Sequence, residues 1–326
     1  MKITKQSSTR VDLAGGTLDC WPLYLLVGDC VTVNLAISIS TKAILEERPG
    51  TAIEVDVRDL KYKKTFKDLG EFMQCTDADL RLVQMHVGYW QPKKGFRLET
   101  HSESPVGGGL GGSSSLSISL IKAFSEWMGK NLEVDEAVNI AHNLEAQVLR
   151  KMTGTQDYFP AMAPGLNAIH YTARGPELER LTGDPEFLDG SLSLVYTGQP
   201  HQSGLNNWQV IKASLDGDRG TLRALADIRA VAWDLYAAVK AKSWDSLPGL
   251  FEREFEARIR LSSSFSSPDI DRLRSVALKS GAHAVKICGA GGGGCVLVWS
   301  SPERKAKVEA GCRENGFQVL TVKAVL

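Results

Sequence analysis

The 326-residue chain is long enough for one large or two medium domains, and its 43% hydrophobic content can give each a core. Its 38 Lys and Arg balance 38 Asp and Glu, so no global charge calls for nucleic acid or an anionic membrane as partner. No apolar run reaches the roughly 18 residues of a membrane span, the first six residues lack a signal-peptide core, and the six cysteines show neither a C-x-x-C pair nor zinc spacing; a reduced, cytoplasmic protein is expected.

In chain order, Thr9 to Leu13 alternates like a strand and runs into the turn Ala14-Gly15-Gly16-Thr17-Leu18-Asp19, which carries an acid. Further strands are expected at 31–39, 43–45, 52–57 and 96–100, with a helix over 80–89. The stretch Pro105 to Ser115 follows, read P-V-G-G-G-L-G-G-S-S-S, and it is succeeded by apolar residues at helical spacing: Leu116, Leu120, Ile121, Phe124, Trp127 and Met128. A second amphipathic helix begins near Asp135 and ends near Met152, before the turn Thr153-Gly154-Thr155-Gln156-Asp157. A link over 182–190 marks the expected domain boundary, dividing the chain into 1–185 and 186–326. The second part is expected to hold a strand at 192–196, helices near 203–214, 221–241, 245–262 and 267–280, strands at 284–287 and 295–299, a helix at 301–315 and a strand at 317–325. Strands lead and helices trail within each part, which favours α+β over a doubly wound sheet.

The central loop reads as a phosphate cradle. Glycine lets the backbone approach a ligand, and a helix start offers free N–H groups and a favourable dipole to an anion. A Gly/Ser linker is the plain rival, but linkers rarely run straight into an amphipathic helix. A Walker loop is excluded because Ser113 stands where its lysine belongs. Gly107, Gly109 and Gly112 satisfy G-x-G-x-x-G, with Glu133 about 20 residues on, yet no second buried strand precedes Glu133 and about a hundred residues precede the loop. A third kind of nucleotide cradle is indicated.

The strand with its glycine turn, the P-x-x-x-G-L-G-x-S-S loop and the late K-I-C-G-A-G-G-G-G-C run together resemble the GHMP kinases, over almost the whole chain. Arg10 through Asp19 keep the length, arginine and final acid of the galactokinase R-x-x-L-x-G-E-H-x-D pattern, while Gly16 and Thr17 replace its Glu-His pair. The Ala-Gly-Gly turn, with Thr197-Gly198 after the 192–196 strand, is more similar to the bacterial D-glycero-D-manno-heptose 7-phosphate kinases; His201 stands where those commonly carry arginine.

The resemblance implies a ribosomal-S5-domain-2-like N-terminal half, a ferredoxin-like C-terminal half, and ATP and Mg²⁺ as cofactors. It implies transfer of the γ-phosphoryl to a hydroxyl, most simply the anomeric one, of a small-molecule sugar or sugar phosphate, and it allows a homodimer. By motif match, Pro105, Gly107, Gly108, Gly109, Leu110, Gly111, Gly112, Ser113 and Ser114 hold the nucleotide; Ser113 and Glu145 reach Mg²⁺; Asp157 accepts the hydroxyl proton; and Arg10 positions Asp157 or steadies the transferring phosphoryl. Asp19 accepts from two sugar hydroxyls beside Gly15, Gly16 and Thr17, and the late run lets the second half pack on cradle and acceptor, with Gly291 and Gly292 on the acceptor side. His201 and Ser203 are further pocket candidates.

Each assignment has a structural rival. Asp157 could be a helix cap, Glu145 a solvated acid at the edge of its stripe, Arg10 a surface charge, and Tyr158 either a wall for a sugar ring or a core aromatic. Other acceptors (a hexose, an inositol, mevalonate) and a catalytically silent nucleotide and sugar sensor remain open. Mevalonate-type relatives carry lysine where Arg10 stands, and the presence of Arg10, Ser113, Glu145 and Asp157 together favours an active enzyme.

Overall fold

The computed structural model describes all residues except 201, 202 and 290, and the side chains of 203–206 are likewise not described; His201 and the Ser203 side chain therefore lie outside the described residues. The first sheet holds β1 (Lys2–Ala14), β2 (Cys30–Arg48), β3 (Ile53–Val57), β4 (Tyr62–Phe66), β5 (Gly95–Ser102), β6 (Leu166–Thr172) and β7 (Gly175–Leu181), in the order β4-β3-β5-β2-β6-β7 with β1 paired to β2. The second holds β8 (Leu192–Tyr196), β9 (Ala284–Ile287), β10 (Cys295–Trp299) and β11 (Gln318–Leu320), ordered β11-β8-β10-β9 and antiparallel throughout. The helix Pro185–Ser191 connects them.

β2 organises the first sheet. Its 19 residues pair with β1 along one side, and on the other with β6 over Cys30–Leu35 and with β5 over Thr41–Arg48. The sequence reads as two strands because Ser38 to Lys42 is mostly polar. Of these, Ser40 and Thr41 are buried but bonded: Ser40 Oγ and N both donate to Glu103, and Thr41 Oγ1 meets Ser115 and Ser119 of the helix Gly112–Trp127. A buried strand tolerates polar side chains when partners face them. β1 likewise begins seven residues before the expected start, and its pairing with β2 slips between Ser8 and Thr9 and between Asp12 and Ala14, next to the site.

β4, β6 and β7 were not expected from the sequence. β7, Gly175 to Leu181, is a half-exposed polar edge without alternation. The closing strand is shorter than 317–325: after Leu320 the chain leaves the second sheet, and Ser38 N donates to Lys323 O while Val325 N donates to Ala36 O. The helices Arg81–Trp90, Gly112–Trp127 and Val134–Leu149 cover the first sheet; Ser203–Leu215, Arg219–Lys240, Leu247–Leu261, Pro268–Ser280 and Pro302–Glu314 belong to the second part. The architecture is α+β. All six cysteines are free and only Cys75 is partly exposed. Among the described residues no helix is long and apolar enough to cross a membrane.

Candidate active site

β1 carries Arg10 into the interior, where it is 4% exposed rather than a surface charge. Its Nε donates to Asp157 Oδ1 at 2.8 Å and its Nη2 lies 2.6 Å from the same oxygen. Nη1 donates to two carbonyls, Gly109 at 2.7 Å and Cys288 at 2.9 Å. Burial disfavours a charged guanidinium, but Asp157 and Asp12 outweigh it and the Arg10 pKa rises. Asp157 sits at the start of the short helix Tyr158–Met162 yet makes no side-chain cap bond there; its carboxylate serves Arg10 and keeps some exposure to a cavity of about 670 Å³.

That cavity is lined by Pro105, Gly107, Gly108, Gly109, Gly111, Gly112, Ser113 and Ser114, with Arg10, Gly16, Thr17, Asp19, Glu145 and Asp157. The helix Gly112–Trp127 therefore starts on it, with the first-turn N–H groups that have no intrahelical partner. Gly111 takes φ +71°, and a Cβ there would lie 3.0 Å from Asp157, so the loop closes on the acid only with glycine at that position. Leu110 is instead a core residue, and Gly15 lies off the lining. Gly291 and Gly292 face the backbone of Phe265 and Ser264, and among the described residues of that run Gly289 lines the cavity. The same run closes on the loop nonetheless: Cys295 N donates to Gly108 O at 2.7 Å.

Glu145 is 4% exposed, and its Oε2 accepts from Tyr158 OH at 2.6 Å and Ser114 Oγ at 3.0 Å, with Ser113 also bonded to the carboxylate. Burial raises its pKa despite these bonds, and among the described residues no cation pairs with it. A buried acid that hydroxyls alone satisfy, beside a glycine loop, fits a divalent cation. Tyr158 is thus a fully buried support for Glu145.

Asp19, 5% exposed, accepts from Gln156 N at 3.1 Å. Its pKa is pushed up to about 7, chiefly by burial and then by the charge of Asp157. Gly154 admits it closely, since a Cβ there would lie 1.7 Å from Asp19 Oδ2.

Behind the turn that carries Gly16, Thr17 and Asp19 lies a buried charge cluster with no contiguous sequence signal. Asp12 Oδ2 accepts from Lys286 Nζ at 3.1 Å and Arg258 Nη2 at 3.3 Å; Glu254 Oε1 lies 2.5 Å from Arg258 and 3.4 Å from Lys286. All four are at most 1% exposed. Burial opposes the Asp12 charge, but Lys286, Arg258 and Arg10 overcome it and hold the acid below its ordinary range. Val57, Leu60, Leu82 and Val83 also line the cavity, together with Asp59 and Asp79. A glycine-lined helix start and a guanidinium-held carboxylate on one cavity together suit transfer of a phosphoryl group to a hydroxyl.

Comparison with known proteins agrees. The family model for the GHMP kinases N terminal domain matches residues 77–165, and that for the GHMP kinases C terminal matches 235–318. D-glycero-alpha-D-manno-heptose 7-phosphate kinase of Campylobacter jejuni is 25% identical, over 97% of this chain and 94% of its own. A mevalonate kinase of Saccharolobus solfataricus is 24% identical, over 86% of each chain. A solved D-glycero-D-manno-heptose 1-phosphate kinase from Bacteriodes thetaiotaomicron superposes with TM-score 0.80 at 20% identity, over 99% of this chain and 96% of its own. With the two family models covering more than half of its length, this chain belongs to the GHMP kinase family and is an ATP-dependent phosphotransferase with a hydroxyl acceptor.

Proposed function

We propose that this kinase phosphorylates the anomeric hydroxyl of a sugar or sugar phosphate, with D-glycero-D-manno-heptose 7-phosphate as the first acceptor to test. The observation that carries the reading is the pair of carboxylates on the acceptor side of the glycine loop, Asp157 against Arg10 and Asp19 against Gln156 N. Asp157, held by the Arg10 guanidinium, accepts the hydroxyl proton as the new P–O bond forms. Arg10 aligns Asp157 and, through Gly109 O, the loop. Asp19, once ionised, accepts from two neighbouring sugar hydroxyls. The heptose kinase relative supports the acceptor class, since its similarity extends over nearly the whole of both chains.

Glu145, with Ser113 and Ser114, would hold Mg²⁺. The ion supplies charge neutralisation to the phosphates when bound. The apolar side chains Val57, Leu60, Leu82 and Val83 on the cavity wall have the character that a nucleobase needs. Lys151 lines the same cavity without a hydrogen bond or ion pair among the described residues, and is the side chain free to meet a phosphate. A cytoplasmic location, a homodimer and a division at 1–185 and 186–326 complete the reading; in support of the last, strands up to Leu181 join the first sheet and those from Leu192 the second.

The test is ADP release with ATP and Mg²⁺ against heptose 7-phosphate, mannose, galactose, fucose, inositol and mevalonate. Strong turnover of heptose 7-phosphate is expected. Turnover of mevalonate alone would overturn the sugar reading, and silence with ATP still bound would favour a nucleotide and sugar sensor.

A further inference from the structure

Thr17 has φ +83°, a left-handed conformation that a β-branched residue rarely adopts and that persists where surrounding contacts hold it. The contacts that hold it come from the far end of the chain. Arg258, on the helix Leu247–Leu261, donates from Nη1 to Thr17 Oγ1 at 3.3 Å and from Nη2 to Gly16 O at 3.0 Å. The guanidinium is itself fixed by Glu254 and Asp12 and is 1% exposed. Lys286 shares both of those acids, yet its other bond is to Ile287 O and it does not touch the turn. Two residues beyond Thr17, the Asp19 carboxylate faces the cavity.

We infer that Arg258 is a positioning residue for the acceptor: it holds the strained Gly16–Thr17 turn in the shape that presents Asp19. Acceptor recognition in the first half of the molecule thereby depends on a helix of the second. The inference rests on reading Asp19 as the acceptor carboxylate. The planar fork is what the site requires, because one side chain reaches a carbonyl, a hydroxyl and two carboxylates at once. A lysine at 258 keeps the charge and loses that geometry.

Acceptor KM, ATP affinity and melting temperature are to be measured for Arg258→Lys, using heptose 7-phosphate or the panel sugar turned over best. Arg258→Lys is expected to raise acceptor KM at least about tenfold while ATP affinity stays within about twofold. Thr17→Gly placed in that background is expected to recover most of the loss, because glycine takes the same φ without strain. Should Arg258→Lys fail to fold, Thr17→Val, which keeps the branching and removes the hydroxyl, carries the same KM expectation. A lowered melting temperature with unchanged acceptor KM, or a raised KM that Thr17→Gly does not relieve, overturns the inference. Asp19→Ala separates the two levels: an unchanged acceptor KM there overturns the acceptor reading itself, whereas a raised KM beside a normal Arg258→Lys overturns only the role of Arg258.

Discussion

Arg10 grips a single oxygen of Asp157 twice, through Nε at 2.8 Å and Nη2 at 2.6 Å, and so leaves the other carboxylate oxygen unengaged by the guanidinium. That oxygen is the one free to take a proton. Asp157→Asn is expected to lower kcat by about 10²-fold or more with ATP binding retained. Near-normal single-turnover rates would place the base elsewhere.

Asp19 makes the enzyme's pH response predictable. With a pKa near 7 in the folded protein, it is protonated below neutrality and loses the capacity to accept from two hydroxyls. Acceptor KM is expected to rise as pH falls through about 7, and Asp157→Asn to move that midpoint downward, since the charge of Asp157 is the second cause of the shift. A KM that is flat between pH 6 and pH 8, values chosen about one unit either side of that pKa, would contradict it. Stability runs the other way. The folded state keeps its proton up to about pH 7, whereas the exposed group gives it up near 3.8, so this group's contribution to stability falls as pH rises through that window.

Removing the buried acid tests the cation site without turnover. Glu145→Gln is expected to bind a non-hydrolysable ATP analogue with little or no gain from added Mg²⁺, where the natural protein gains at least about tenfold. Equal Mg²⁺ dependence in calorimetric titrations of the two proteins would remove Glu145 from the cation site.

Gly111→Ala should cost stability even though it adds one methyl group. A left-handed alanine is strained by about 1–2 kcal/mol, and its Cβ would press on Asp157 at 3.0 Å. Denaturant unfolding reads the first effect and kcat the second; a fully active, equally stable variant would mean that the loop sits differently.

The legible parts of this molecule were those written contiguously. The glycine loop and its helix announce themselves within a few residues, because phosphate cradles are local devices, whereas the roles of the acids at 19, 145 and 157 came from the resemblance. Arg10 was legible only through resemblance, since nothing local says that a strand arginine turns inward. The cluster of Asp12, Glu254, Arg258 and Lys286 left no signal: its members sit on two strands and a helix, and strand register and helix phase decide that they meet. β7 was missed for a different reason, since a polar edge strand is held by its backbone ladder to β6 and not by an apolar face. Tyr158 could be read either as pocket wall or as core until Glu145 was seen to accept its hydroxyl.

Arg10 Nη1 touches a carbonyl of the central loop and one 278 positions from itself in the late glycine run, whose Cys295 N in turn caps Gly108 O. The glycine loop is therefore a seam, built by the first half of the molecule and stitched to the second. Cutting the chain in the linker between the two sheets would strip the loop of its contacts to Cys288 and Cys295, so the ATP affinity of the first fragment is expected to rise as the second is added and to serve as a direct readout of their reassembly.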